Sequence, residues 1–275
     1  MMEELFEKAK VYKYTSLQYL DLEEIQIKTN EDIIIDKPGV FILGKLVDHC
    51  CNIYWAAESQ EKFVIAMSEL MNKINDLNVD GLTRVYIEFL QPDFILAMES
   101  LGFNVVSEFM DFWNEDLSIN TIKGKESTSV SIRRIDPDEY VKVSLITKAC
   151  LDLSRGFLAD EPKFIREWDE SEHSCILVAD LNKSIVGVCF LNMYGFESEK
   201  GPVLWIRELA VDPKYQNNGI GHSLVFESVC WGKNNGAKRS FLLVDRENTK
   251  AIKIYNEFGY KCTVEAGQIN MALVL

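Results

Sequence analysis

The segment Leu209-Ala210-Val211-Asp212-Pro213-Lys214-Tyr215-Gln216-Asn217-Asn218-Gly219-Ile220-Gly221-His222-Ser223-Leu224 constrains the fold more than any other stretch of the 275-residue chain. An apolar run with strand character stops at Asp212-Pro213, and two glycines then open a helix whose apolar positions include Leu224, Val225 and Val229. A helix that begins on Gly-x-Gly offers unpaired backbone N–H groups with no Cβ in the way. Those groups, with the helix dipole, favour a phosphate. A glycine-rich turn that holds no ligand has the same local pattern, so the segment alone leaves both readings open.

Its surroundings alternate between strand and helix. Strand character marks 130–135, 175–179, 185–193, 203–211 and 241–244, and residues 260–275 return to strand. Helices are expected from Pro137 to Cys150, with Asp136 as N-cap, from Gly219 to Asn235 and from Thr249 to Phe258. The first half repeats the end of that order: strand 52–57, helix 61–77, strand 85–90, helix 93–101, strand 104–113. Leu101-Gly102-Phe103 and Phe258-Gly259-Tyr260 each place a glycine between a helix and a strand, as a left-handed C-cap does. The expectation is an α+β protein of two tandem domains, 1–120 and 129–275, each a mixed, mostly antiparallel sheet flanked by helices. The polar stretch 121–128 is read as their linker. The aromatic run Phe103, Phe109, Phe112 and Trp113 reads as packing.

The formal charge of −14 excludes a nonspecific nucleic-acid binder, which needs a basic face. Residues 1–125 carry 22 acidic against 11 basic side chains, so a polyanion is more welcome in the second half. No apolar run approaches the ~20 residues of a membrane span, and the acidic N-terminus is unlike a signal peptide. The seven cysteines show no metal-ligand spacing; reduced thiols, a cytoplasmic location and no metal are expected.

The context of the glycine loop narrows its reading. Gln216-x-x-Gly219-x-Gly221 after Leu209-x-Val211-x-Pro213 resembles the acetyl-CoA motif of the GNAT acetyltransferase superfamily. Downstream, Asn248-x-x-Ala251-x-x-x-Tyr255-x-x-x-Gly259-Tyr260 is similar to that family's next helix. The resemblance covers about 129–275 in motifs and 1–117 only in topology. It implies that the CoA pyrophosphate lies on the backbone of Gln216, Asn217, Asn218, Gly219, Ile220 and Gly221, with Ser223 as a hydroxyl donor. The pantetheine arm pairs with the strand main chain at Leu209, Ala210 and Val211, and with Asn248. Where the family often has a basic residue, this chain has Asn218.

By the same resemblance Tyr255 is the general acid that protonates the leaving thiolate, and Glu208 is the base that deprotonates an attacking primary amine. A phenol with a reference pKa near 10 keeps its proton at neutral pH and suits that task. Strand alternation sends Glu208 and Ala210 to one face, Leu209 and Val211 to the other. The expected function is acetyl-CoA-dependent N-acetyl transfer to a small cationic amine or peptide by direct attack, in a monomer or homodimer. The alternative is a catalytically silent acyl-CoA-binding protein. Seven acidic residues between Asp152 and Glu172 read as a wall that draws in a cationic acceptor. His222 reads as exposed. The first domain is expected not to hold CoA, because there is no glycine between Gly44 and Gly81 and Glu58 and Glu61 flank the equivalent turn.

Overall fold

Apolar periodicity determines which segments pack. A computed structural model describes residues 2–19, 32–47, 49–77, 81–118, 130–263 and 267–275, and the 121–128 linker lies outside them. The chain forms two compact units, Met1–Glu108 with Ala266–Leu275, and Phe109–Glu265.

The first unit contains α1 (Met2–Lys10), β1 (Tyr14–Thr15), β2 (Ile33–Lys37), β3 (Val40–Val47), β4 (Cys50–Ala57), α2 (Gln60–Leu77), β5 (Arg84–Leu90), α3 (Ile95–Ser100) and the start of β6 (Asn104–Asn114). Its strands run β2-β3-β4-β5 and then the C-terminal strand 268–274, which pairs antiparallel with β5; only β4 and β5 are parallel. Phe63, Ala66, Met67, Leu70 and Ile74 make an apolar stripe on α2 that packs on Ile42, Cys51, Ile53, Val85 and Ile87 of the sheet. The other face is covered by Phe6 and Ala9 of α1, with Leu17, against Phe41, Leu43 and Ala56.

The second unit contains the rest of β6, then β7 (Ser131–Arg134), α4 (Tyr140–Ala149), α5 (Pro162–Glu170), β8 (Ser174–Leu181), β9 (Ser184–Tyr194), β10 (Val203–Val211), α6 (Ile220–Asn234), β11 (Arg239–Asp245), α7 (Thr249–Glu257) and β12 (Lys261–Cys262). The last strand, β13 (Gln268–Val274), is the one returned to the first unit. The sheet order is β6-β11-β10-β9-β8-β7, again with one parallel pair, β10 and β11. Alternation in β8 is strict: Cys175, Leu177 and Ala179 join α6 and α7 in one core, Ile176 and Val178 join α4 and α5 in the other. Asn182 and Lys183, at φ 52 and 69, close the β8–β9 hairpin with the left-handed pair such a turn requires.

Two sequence expectations shift. The helix expected from Pro137 starts at Tyr140; the Asp136–Glu139 segment is a turn, because Arg133 draws the Glu139 carboxylate, which also accepts the Asp136 N–H at 3.1 Å. The cores divide at Glu108/Phe109 and not at the polar stretch. Phe103 is buried in the first core, whereas Phe112 is buried in the second and residues 109–114 pair with β11. Low hydrophobicity marks where a chain lacks packing, and here the boundary falls inside a well-packed strand.

Candidate active site

A bulge in β10 creates the site. Arg207 and Glu208 together stand opposite the single step from Leu191 to Phe190 on β9. Parallel pairing with β11 ends at that point, Ile206 against Leu242, although β10 runs on to Val211 and β11 to Asp245. The two strands therefore part, and the main chain of Leu209–Val211 has strand partners only on the β9 side. Leu209 and Val211 pack with α6 and α7, and Ala210 with α4 and α5, as alternation requires.

The connection from β10 to α6 is shaped by its own side chains. Asp212 accepts the Lys214 N–H at 2.9 Å and closes a 3-10 turn, Pro213–Tyr215. The Gln216 amide donates to the Val211 carbonyl at 3.0 Å, and the Asn218 amide to the carbonyls of Tyr215 and Gln216 at 3.1 and 3.2 Å. With those carbonyls tied back, the N–H groups of Gln216, Asn217, Asn218, Gly219, Ile220 and Gly221 donate to no other group among the described residues. Gly219 is the N-cap at φ 79, with no side-chain cap on the helix. A Cβ added there would meet nothing within 4 Å, so the backbone conformation demands glycine while the space beside it stays open. Ser223 is less available than the motif implies, since its hydroxyl donates to the Gly219 carbonyl at 3.2 Å.

Tyr255 and Glu208 share an environment. Tyr255 is buried among the α6 and α7 residues with its ring 6.0 Å from that of Tyr260. Burial holds its phenol well above the ordinary value, and the Cys189 and Glu208 groups push the same way. Burial also pushes the Glu208 carboxyl up to about 8, with Asp160 adding to the rise while Arg207 and the Leu209 N–H pull it down. One Glu208 oxygen accepts that N–H at 3.1 Å. Asn248 caps α7, accepting the Ala251 N–H at 3.2 Å, and donates to the Ser154 hydroxyl at 3.3 Å.

Several neighbours carry no motif. Arg155 grips the buried Asp245 carboxylate at 3.2 Å where β11 ends, and Cys150 donates its thiol hydrogen to the Val211 carbonyl at 3.3 Å. Arg207 pairs with Asp160 at 3.3 Å and lies over the Phe164 and Trp168 rings. An unpaired-looking arginine in an apolar strand was the only sequence signal for this cluster.

The acidic wall is mostly neutralised. Asp160 faces Arg207, Glu161 faces Lys148, Glu167 faces Lys163, and Asp169 takes Arg134. His222, expected at the surface, is buried with its ring 4.6 Å from Phe258. The apolar face of α7 closes over it.

Comparison with known proteins agrees with this geometry. The family model of the acetyltransferase (GNAT) family matches residues 144–260. The uncharacterized N-acetyltransferase YobR of Bacillus subtilis is 33% identical over 55 residues, which is 20% of this chain and 22% of that protein. An uncharacterized N-acetyltransferase of Methanocaldococcus jannaschii is 35% identical over 63 residues, 23% of this chain and 28% of that one. The chain thus spans only about a quarter of the length of these curated relatives. Among solved structures, a GCN5-related N-acetyltransferase from Sphaerobacter thermophilus matches with a TM-score of 0.63 at 13% identity, over 86% of this chain and 76% of that one. Another from Kribbella flavida gives 0.55 at 11%, over 88% and 90%. These two show the fold. The chain carries a domain of the GNAT acetyltransferase superfamily.

Proposed function

We propose that the second unit is an acetyl-CoA-dependent N-acetyltransferase acting on a primary amine. The observation that carries this reading is the run of N–H groups from Gln216 to Gly221 with no acceptor, at an uncapped helix start beside two parted strands. Buried or constrained backbone donors are nearly always paired, so a consecutive set without acceptors is a binding surface for an anion such as a pyrophosphate. The open space at Gly219 fits the same group.

Acetyl-CoA, when bound, supplies the acyl thioester. The chain orients the pyrophosphate with the loop N–H groups and the pantetheine arm with the free edge of Leu209–Val211. A Glu208 carboxylate oxygen takes the proton from the attacking amine nitrogen, and a carboxyl that titrates near 8 is well matched to that transfer near neutral pH. The Tyr255 hydroxyl, which keeps its proton, gives it to the departing sulfur. Asn248 contributes by holding Ser154 and the start of α7 in place, and the acceptor is selected by contacts more than by long-range charge. The first unit is a degenerate copy without a CoA site. Free thiols and the absence, in the described residues, of a helix able to cross a membrane fit the cytoplasm.

Isothermal titration of CoA into the wild type and Gly219→Trp tests the loop. One site per chain, lost in the variant, is expected; equal binding by both refutes the assignment. Thiol release from acetyl-CoA with a panel of amines separates an enzyme from a silent binder.

A further inference from the structure

In the first unit a cavity of about 230 Å³ is lined by Ser16, Asn52, Ile53, Tyr54, Tyr86, Glu88 and Phe89. It opens where β4 and β5 part, since their pairing ends at Ile53 and Ile87. The Glu88 carboxylate is half-buried there and accepts from the Tyr86 hydroxyl at 2.9 Å. No lysine, arginine or histidine pairs with it among the described residues. Burial raises its carboxyl above the ordinary range and the Tyr86 bond offsets only part of that.

Two further observations mark the cavity as built. Phe89 has φ 60, a conformation that bulky side chains rarely adopt. It is held by the oxygen of the Asn270 side-chain amide, which accepts the Phe89 N–H at 3.3 Å while its NH2 donates to Ser107. The strained backbone places an aromatic ring beside the carboxylate, and residues of this kind concentrate at ligand sites. The Arg84 guanidinium already covers the Tyr86 ring, which leaves Tyr54 and Phe89 as the free aromatic walls.

We propose that this cavity binds a small organic cation, a primary or methylated ammonium group, between the Glu88 carboxylate and the rings of Tyr54 and Phe89. A lone buried carboxylate excludes an anion and requires a positive partner. Aromatic faces attract a soft ammonium group. A hard metal ion prefers several oxygen ligands, and this cavity has one carboxylate.

The Trp55 indole N–H donates to the Glu88 carbonyl at 3.0 Å, so its resonance in 15N-labelled full-length protein reports on the cavity. Ethylammonium and tetramethylammonium chlorides, titrated separately at constant ionic strength, are expected to shift it saturably in the roughly millimolar range. Glu88→Gln should weaken binding on the order of tenfold or more, and Phe89→Leu by a smaller factor. Gly219→Trp should bind both cations as the wild type does, which keeps this result separate from the fate of the CoA assignment. A wild type that gives no saturable shift overturns the proposal whether or not the variants fold. So does equal binding by Glu88→Gln, or an equal response to calcium chloride.

Discussion

Each unit has one parallel strand pair that parts after four paired residues, and the two partings are finished differently. In the second unit Ile206 and Leu242 end the pairing, in the first Ile53 and Ile87. Beyond that point β10 has its bulge and then Glu208 and Leu209, whereas β4 continues in unbroken register with Tyr54 and Trp55. The Trp55 side chain is fully buried, packs 4.6 Å from Phe63 and 5.3 Å from Phe94, and reaches across to the Glu88 carbonyl. An indole therefore fills in one unit the gap that stays open in the other. The helix starts differ in the same sense. Ser59 caps α2 by accepting the Lys62 N–H at 3.3 Å, while α6 has only Gly219. A parted strand pair is thus not sufficient for a cofactor slot; the bulge, the small side chain and the uncapped helix must coincide.

The largest effect is expected at the plug. Trp55→Ala removes a fully buried indole from a three-ring cluster and should cost about 3–5 kcal/mol, read from chemical denaturation. CoA stoichiometry should remain one per chain. A second CoA site in this variant would show that the indole alone closes the first unit.

Tyr255→Phe deletes the proton donor while keeping the ring. We expect kcat to fall by about 10²-fold or more with little change in KM for acetyl-CoA, since a buried hydroxyl that acts late contributes mainly to the transition state. An unchanged kcat would make Tyr255 a packing residue like Trp55 and remove the functional side of the contrast.

Glu208 gives a pH test of the same contrast. Its carboxyl is raised from 4.5 to about 8 in the folded protein. Between those values the native state holds a proton that the unfolded state has lost, so this group's contribution to stability falls as pH rises through the window and levels off above it. The melting temperature of Glu208→Gln relative to wild type should climb over that range and then stay constant. Over the same range kcat/KM of the wild type should rise toward a plateau as the base ionises. A flat difference curve would place Glu208 in water, outside the site.

What the sequence made legible follows from which groups carry their own signal. The loop is defined by glycines whose φ and open surroundings nothing else satisfies, and β10 is bounded in the structure as it is in the sequence, at Val203 and Val211. The bulge at Arg207 carries no such mark, because it depends on how β9 pairs. Residues 33–47 have a turn signal in Pro38-Gly39, but Val40, Phe41, Ile42 and Leu43 are all buried, so alternation is absent from β3. The exchange of β13 into the first unit depends on Ile269 and Met271 finding that core, a contact distant in sequence that no local pattern announces. Ion pairs that neutralise the Asp152–Glu172 segment are equally nonlocal, and a count of charges cannot see them.

The smallest effect should come from the cap. Ser59→Ala frees the Lys62 N–H at the start of α2 and should cost about 0.5–1 kcal/mol of stability, near the low end for a lost N-cap because the bond is long. It also makes the first unit resemble the second in one respect, a helix start without a side-chain acceptor. If that were enough to hold a pyrophosphate, CoA titration of Ser59→Ala would show a second, salt-sensitive site. We expect none. Glu58 sits at the same turn, tied to Lys62 at 2.7 Å, and its carboxylate repels an incoming phosphate. The link from β4 to α2 is only Glu58 and Ser59, and the Glu58 N–H is already given to the Gly39 carbonyl at 2.8 Å. A missing cap exposes one donor, whereas α6 and its loop present a consecutive set. Unchanged stoichiometry with a small loss of stability would locate the difference between the units in the whole loop and not in its last residue.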